Sequence, residues 1–458
     1  MIDYRLIERQ NPWWSNSHWF DSDLKIQEVI KSDYQFIPDK IYNLSEEKKA
    51  IHIITGPRQT GKSTSLKLKI KQLLIKKITP QAIFYYNCDA LSSKKDIIDL
   101  VLNYIELNKF DKYYIFLDEI SSVVNWPYAV KWLTDEGFLK NCILYLTGSS
   151  SINLKKSGEY LPGRRGSGLN IDFFPLSFYQ VLEIKKYHLK KIDFKDVDLI
   201  KKLQKIDLLN LSSINKEFTS FLSTGGFLPI INNPENPLIH QIYQETLKSE
   251  IIKNGKNEKN MRMVIKKLIN SLSAETSYTN IAEEAELGSK NTVIDYLDFL
   301  VNSYFLHELL FFDINQKKYI LKKNKKFHFT DPYIIWLLWG YFTGNGVDLK
   351  VFNRKVIGNL DLFIFGTDIS KVIENFIASE LVKANKKFYF YKNSRELDFY
   401  VPKNELGIEV KYKNNITQED IKSVMKAKNK IIISKKTLEK RDDILIIPAH
   451  LFSLLELG

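Results

Sequence analysis

Three sets of residues in this 458-residue chain have types and spacings that could do chemistry. The first is the run Gly56, Pro57, Arg58, Gln59, Thr60, Gly61, Lys62, Ser63, Thr64. It reads G-x-x-x-x-G-K-[ST]. Successive backbone N–H groups of such a loop form a nest for phosphate oxygens, and the helix that follows adds the positive end of its dipole. Gly56 and Gly61 permit backbone angles that other residues resist. Lys62 would reach the β- and γ-phosphates of ATP, and Ser63 would offer its hydroxyl to Mg2+. The second set is Asp118–Glu119, at the end of the apolar run "KYYIFL". Asp118 would hold the magnesium shell, and Glu119 would orient and deprotonate the attacking water. An acid directly after the metal aspartate argues for hydrolysis rather than binding alone. Thr147, ending another apolar run beside Ser149 and Ser150, is the first choice as γ-phosphate sensor, a capping or turn role being the alternative. The third set is Glu374, Asp398, Glu409 and Lys411. Glu409 and Lys411 are two apart on a strand and so share a face. Asp398 on the preceding strand can lie across from them, and Glu374 on an earlier helix can complete the cluster. In this reading Asp398 and Glu409 bind Mg2+, Lys411 positions or helps activate a water, and the metal polarises a scissile phosphate. The plainer alternative is a half-buried strand with outward polar residues.

Elements of the right kind surround these residues. An apolar run precedes Gly56, and Leu66, Ile70, Leu73 and Leu74 mark one face of a helix after Lys62. "AIFYYN" (Ala82–Asn87), "CILYLTGSS" (Cys142–Ser150) and "LNIDFF" (Leu169–Phe174) supply further strands between helical patterns. Alternating strands and helices imply a parallel three-layer α/β sheet with nucleotide at the carboxyl ends of its strands. From Tyr179 to Asn260 the pattern is helical and Lys-rich, broken at "STGGFLP". Residues 277–309 read as a helix-turn-helix, with Ile281 and Ala285 on one apolar face and Val293, Leu297, Leu300 and Val301 on the next. The polar start of its second helix, Ser289, Lys290 and Asn291, is where base-edge or phosphate contacts would arise. Asn315–Phe329 reads as a single hairpin wing carrying Lys317, Lys318, Lys322, Lys323, Lys325 and Lys326, a cluster that would attract phosphate without reading sequence. Beyond it come a helix (Lys371–Asn385), three strands, a helix (Gln418–Asn429) and two more strands.

The totals agree. Lys plus Arg number 67 against 54 Asp plus Glu, a net charge of +13 that favours phosphate-bearing partners. Two cysteines, Cys88 and Cys142, sit in apolar runs and give neither a disulfide framework nor zinc spacing, as expected of a cytoplasmic protein. The charged N-terminus lacks the apolar stretch of a signal peptide. "YIIWLLWGYF" (Tyr333–Phe342) is too short to span a bilayer, so no membrane partner is expected.

"GPRQTGKST", "YIFLDEI" followed by "NWPYAVKWLTDEG", "LYLTGSSS", "LPGRRG" and "FFPLSF" resemble, in this order, the prokaryotic and largely archaeal AAA-type ATPases that carry a winged helix and a C-terminal restriction-endonuclease-like domain. "ERQNPWW" (Glu8–Trp14) resembles that family's leader, where Trp13 and Trp14 are expected to pack onto the ATPase core. The resemblance implies a leader (1–45), a P-loop ATPase core (46–180), a helical lid (181–260), a winged helix (261–332) and an α/β domain of the PD-(D/E)xK type (333–458). Leu397 stands where that superfamily's name has Pro. Arg164 and Arg165, between glycines, are candidates for an arginine supplied to a neighbour's γ-phosphate, which would require a homo-oligomer. The expected function is a Mg2+-dependent ATPase that binds DNA, branched or broken, and cleaves it if the rear site is intact. The alternative is a nucleotide-driven switch or scaffold with an inactive nuclease fold, binding DNA or a protein.

Overall fold

A computed structural model describes residues 4–47, 49–148, 161–344 and 369–458, the side chains of 207–212 excepted. Ser149 and Ser150 lie outside the described residues. The chain divides into two compact units, Met1–Phe174 with Asn302–Tyr304, and Pro175–Val301 with Phe305–Gly458.

The first unit is built on a five-stranded sheet: β1 (Ala50–Thr55), β2 (Ile83–Asn87), β3 (Tyr113–Asp118), β4 (Cys142–Gly148) and β5 (Asn170–Asp172), in the order β2-β3-β4-β1-β5. Every pairing is parallel. β1, β3 and β4 are buried along their whole length, which is why their sequences are continuous apolar runs rather than alternating ones. One face packs Leu66, Ile70 and Leu73 of the helix Lys62–Ile75. The other packs the helices Lys94–Leu107 and Trp126–Asp135 through Ile97, Leu100, Val101, Trp126 and Val130. A parallel sheet between two helical layers is the P-loop NTPase architecture. Because β4 lies between β1 and β3, the ends of the P-loop strand and the Asp118 strand flank the end of β4, where Thr147 sits.

An edge strand leaves backbone groups without a strand partner. At β2 the leader supplies partners from its side chains. The Asn11 amide donates to Tyr85 O (2.9 Å) and accepts from Tyr85 N (2.6 Å), while Gln10 Oε1 accepts from Asn87 N (2.7 Å). Both Trp13 and Trp14 donate their indole N–H to Ile83 O. Trp13 is buried, and Trp14 stacks on Phe84 and Tyr104, so the two tryptophans pack the leader onto this core as their sequence context suggested.

The second unit opens with helices Phe178–Ile184, Leu199–Thr224, Leu228–Asn232, Pro237–Lys253 and Glu258–Asn270. Two strands pair in parallel here, β6 (Ile192–Asp193) with the C-terminal β17 (Leu455–Glu456). The stretch expected to be a helix-turn-helix contains the helices Tyr278–Glu284 and Lys290–Asn302, with Ile281, Ala285, Val293, Leu297 and Leu300 buried and Ser289, Lys290 and Asn291 exposed. Four strands follow: β7 (Leu306–Leu309), β8 (Phe311–Asp313), β9 (Lys318–Ile320) and β10 (Lys326–Phe329). Then come the apolar helix Pro332–Thr343, buried nearly all round, and the helix Ile369–Lys383. The remaining strands are β11 (Tyr389–Lys392), β12 (Glu396–Val401), β13 (Leu406–Val410), β14 (Asn429–Ser434), β15 (Glu439–Arg441) and β16 (Ile444–Pro448). They join β8 and β9 in an eight-stranded sheet ordered β15-β16-β14-β13-β12-β11-β8-β9.

Two local expectations need correction. The stretch 315–329 is not one hairpin: β9 pairs antiparallel with β8 and extends the large sheet, whereas β10 turns back to pair with β7. Lys325 and Lys326 consequently leave the surface, and their neighbours Lys317, Lys318, Lys322 and Lys323 stay on it. The expected helix 418–429 is only Gln418–Ile421, capped by Thr417 and Asp420, followed by a 3-10 turn at Val424–Lys426. The chain must straighten early because Ala427 packs beneath Gly407 and β14 begins at Asn429.

Candidate functional site

The P-loop is shaped by close backbone approach. A Cβ at Gly56 would stand 2.1 Å from Phe173 O, so only glycine fits there. Gly61 (φ 95°) and Gln59 (φ 59°) take left-handed conformations that turn the chain into the helix Lys62–Ile75. The Thr60 hydroxyl braces the loop on Pro57 O (2.9 Å). Lys62 is buried, its Nζ donating to Gly56 O (2.9 Å) and Pro57 O (2.6 Å) across the cradle a phosphate would fill. Asp118, also buried, accepts from Tyr85 Oη at 2.7 Å through Oδ2 and from the Thr147 hydroxyl through Oδ1. Thr147 Oγ1 in turn accepts from Glu119 N (3.0 Å). Glu119 follows at φ 51°, a left-handed turn that ends the strand. Thr147 was expected to sense a γ-phosphate; its hydroxyl here holds the Asp118–Glu119 pair. Burial and the Asp118 charge both push the Tyr85 phenol far above its ordinary pKa, so it stays a donor.

The rear residues also converge. Glu374, Asp398, Glu409 and Lys411 line one cleft of about 560 Å³, together with Lys371, Arg395 and Glu396. Asp398 Oδ2 accepts from Val410 N (2.9 Å), and Glu409 Oε2 accepts from Asp398 N (3.3 Å), so the two carboxylates clasp the β12–β13 pair. The Lys411 ammonium rests on Glu409 Oε1. The sequence reading missed the residue at the centre. Lys326 of β10, fully buried, places Nζ 2.5 Å from Glu396, 3.0 Å from Glu374 and 3.4 Å from Asp398. Lys371 pairs with Glu374 Oε2 at 3.0 Å. His328, two residues after Lys326 and equally buried, puts Nε2 3.6 Å from Glu374 Oε1. Its signal in the sequence was alternation: Lys326 and His328 share one side of a strand.

Burial works against charge throughout this cleft, and local partners decide which groups keep it. For Glu374 burial is outweighed by Lys326, His328 and Lys371, which hold its carboxyl well below the usual range. Burial and the Glu374 charge push Asp398 up, and burial with the Asp398 charge pushes Glu409 up to about 8. Burial disfavours the Lys326 ammonium, but Glu374, Asp398 and Glu396 more than compensate and keep it protonated.

Residues 48–182 match the family model described as an AAA domain. This segment is an AAA-type P-loop ATPase domain. Residues 215–341 and 370–452 match two models described as domains of unknown function, DUF8612 and DUF4143. An uncharacterized protein of Methanocaldococcus jannaschii is 26% identical over 444 residues, covering 90% of this chain and 87% of the relative. Among solved structures, a Walker-type ATPase of Pyrococcus abyssi is similar at TM-score 0.39 and 11% identity, over 71% of this chain and 95% of that one. The Aeropyrum pernix ORC1 protein in complex with DNA is similar at TM-score 0.32 and 11% identity, over 75% and 98%.

Within the AAA domain the two arginines lie far from their own P-loop. Gly166 bridges to Ala50 and Arg165 O accepts from Ile51 N, at the beginning of β1, whereas the P-loop follows its end at Thr55. From Ile51 to Thr55 the strand runs about 13 Å, at roughly 3.3 Å per strand residue. Arg164 forms a fork on Asp135 (2.6 and 3.2 Å), and Arg165 donates to Asn170 (2.5 Å).

Two magnesium sites are implied, and they differ in fit. At the AAA domain the donor set suits Mg2+: the Ser63 hydroxyl opens the P-loop helix, and Asp118 brings a carboxylate whose observed partners are neutral hydroxyls. The rear cleft does not fit. A lysine ammonium already sits among its carboxylates, and among the described residues no group of three or more His, Cys, Asp or Glu side chains is arranged to hold a metal ion. The expectation that Asp398 and Glu409 bind Mg2+ meets this obstacle.

No helix of the described residues is long and apolar enough to cross a membrane, and Cys88 and Cys142 are both buried free thiols.

Proposed function

We propose that this protein is a Mg2+-dependent ATP hydrolase of the cytoplasm that binds DNA, and that nucleotide state governs how the DNA is held. The observation that carries this reading is the joint geometry of Lys62 in the P-loop and Asp118–Glu119 held by Tyr85 and Thr147. Lys62 would neutralise the β- and γ-phosphates, and Ser63 and Asp118 would hold Mg2+. The bound ion would offset charge that develops on the transferring phosphoryl group. Glu119 would orient the attacking water. The remote position of Arg164 and Arg165 supports a role in trans, in a homo-oligomer.

DNA contact is proposed for the helix-turn-helix, through Ser289, Lys290 and Asn291, and for the exposed Lys317, Lys318, Lys322 and Lys323. The rear domain is read as restriction-endonuclease-like from its order of helix, three strands, helix and strand. ATP turnover measured with and without single-stranded, duplex and branched DNA tests the reading. Turnover that ignores every DNA, with no DNA retained in anisotropy, would remove the DNA half of it. A second reading, in which the domain also cleaves DNA, has in its favour the gathering of Glu374, Asp398, Glu409 and Lys411 in one cleft, and against it the misfit of that cleft to Mg2+. Its signature would be Mg2+-dependent nicking of plasmid that disappears in Lys411→Ala.

A further inference from the structure

The rear cleft is crowded with charge, yet every oxygen of its three central carboxylates already meets a protein donor. Glu374 Oε1 takes Lys326 and Oε2 takes Lys371. Asp398 Oδ1 takes Lys326 and Oδ2 takes Val410 N. Glu409 Oε1 takes Lys411 and Oε2 takes Asp398 N. A magnesium ion asks for carboxylate oxygens on a tight octahedron and keeps several waters. Here it would have to displace these donors and then sit beside a buried ammonium of the same sign.

The origin of that ammonium matters. Lys326 does not come from the strands that carry the acids. It comes from β10, which pairs with β7 directly after the helix-turn-helix. Its strand is held too: Asn375, of the same helix as Glu374, clasps Phe329 of β10 through both polar atoms of its side-chain amide, accepting from Phe329 N (2.7 Å) and donating to Phe329 O (3.1 Å).

We propose that Lys326 is the resident cation of this cleft. It takes the place of a divalent metal, so the rear domain engages DNA without a metal-dependent cleavage step, and it ties the strand behind the helix-turn-helix to the rear sheet. The inference rests on the restriction-endonuclease-like reading of the domain.

The test is a calorimetric titration of Mn2+ into the nucleotide-free full chain, its Asp398→Asn variant, Lys326→Met, and the double variant. The wild type and Asp398→Asn should give the same isotherm. Lys326→Met should gain one Mn2+ site, and Asp398→Asn in that background should remove it. A wild-type Mn2+ site that Asp398→Asn abolishes would overturn the proposal, as would a folded Lys326→Met that gains none. If Lys326→Met fails to fold, the comparison of wild type with Asp398→Asn decides alone. Mg2+-dependent plasmid nicking by the wild type, lost in Lys411→Ala, would also overturn it. ATP turnover and DNA anisotropy on the same wild-type preparation report separately on the ATPase and DNA-binding reading, which can fail while the Mn2+ result stands.

Discussion

The P-loop and the rear cleft each gather lysine and carboxylate, and they treat charge in opposite ways. At the P-loop, Lys62 leans on two backbone carbonyls and Asp118 accepts from two hydroxyls. These neutral partners fix the charged groups in place without cancelling them. A phosphate or a magnesium ion arriving there would meet their field. In the rear cleft, lysines and carboxylates answer one another directly, Lys326 to three acids and Lys371 and Lys411 to one each. Such a cluster has little field left for a ligand, and its charges act as a structural joint. Counting charged residues in a pocket therefore says less about chemistry than asking what their partners are.

The largest effect that could break this contrast is at Lys62. Lys62→Ala should lower ATP turnover by about 10²–10³-fold or more, the scale of losing one preorganised electrostatic contact in a transition state. Chemical denaturation should move far less than turnover, since the Lys62 contacts to Gly56 O and Pro57 O are hydrogen bonds to backbone carbonyls. Glu119→Gln should reduce turnover by about 10²–10⁴-fold while ATP binding, followed by a fluorescent analogue, persists. At Lys326 the pattern should invert. Lys326→Ala leaves Asp398 without its paired cation and Glu374 with Lys371 alone, and breaking such a buried group typically costs about 3–5 kcal/mol. Urea unfolding should show that loss, and ATP turnover in native buffer should not. If Lys326→Ala were as stable as the wild type, the cluster would not be a joint and the contrast would fail.

Much of this was legible in the sequence, for a physical reason. The P-loop and Asp118–Glu119 are local: each motif lies on one strand end or one turn, so spacing alone places the side chains. Glu374, Asp398 and the Glu409–Lys411 pair came from three separate stretches, yet each had a readable period, and the structure brings them into one cleft. What could not be read was the pairing of β10. Lys326 lies four residues after Lys322 in one lysine-rich stretch, and nothing in composition separates an exposed lysine from a buried one. The difference is set by strand pairing across the chain, β10 to β7 and β9 to β8. Tyr85 escaped notice for a similar reason. In "AIFYYN" it looks like any aromatic strand residue, and only the neighbouring β3 puts Asp118 within reach of its hydroxyl.

Tyr85 offers a smaller and sharper test on the P-loop side. Tyr85→Phe keeps the ring and removes one donor to Asp118. A hydrogen bond to a charged group contributes about 1.5–3 kcal/mol, so turnover should fall by about 10- to 150-fold at most. Thr147→Val should fall further, because that hydroxyl holds both Asp118 and the Glu119 amide. Should Tyr85→Phe leave turnover untouched, the Asp118 carboxylate would be held adequately by Thr147, and the neutral cage would be looser than the geometry suggests.

The smallest effect divides the lysines of a single segment. Lys322 and Lys323 are exposed, while Lys325 is nearly buried, its ammonium closing the loop on Leu321 O (2.9 Å) and lying over the Tyr278 ring. A lysine that neutralises a DNA phosphate releases counterions, so the slope of log affinity against log salt should become shallower by about 0.9 for each such lysine removed. Lys322→Ala and Lys323→Ala should each show that change in anisotropy titrations across a salt series. Lys325→Ala should leave the slope where it was, because its charge already has a fixed place in the fold. Equal slopes for all three variants would mean that burial does not separate ligand-facing from structural lysines here. A change in Lys325→Ala as large as in Lys323→Ala would mean that the loop opens when DNA binds and that the strands behind it rearrange with it.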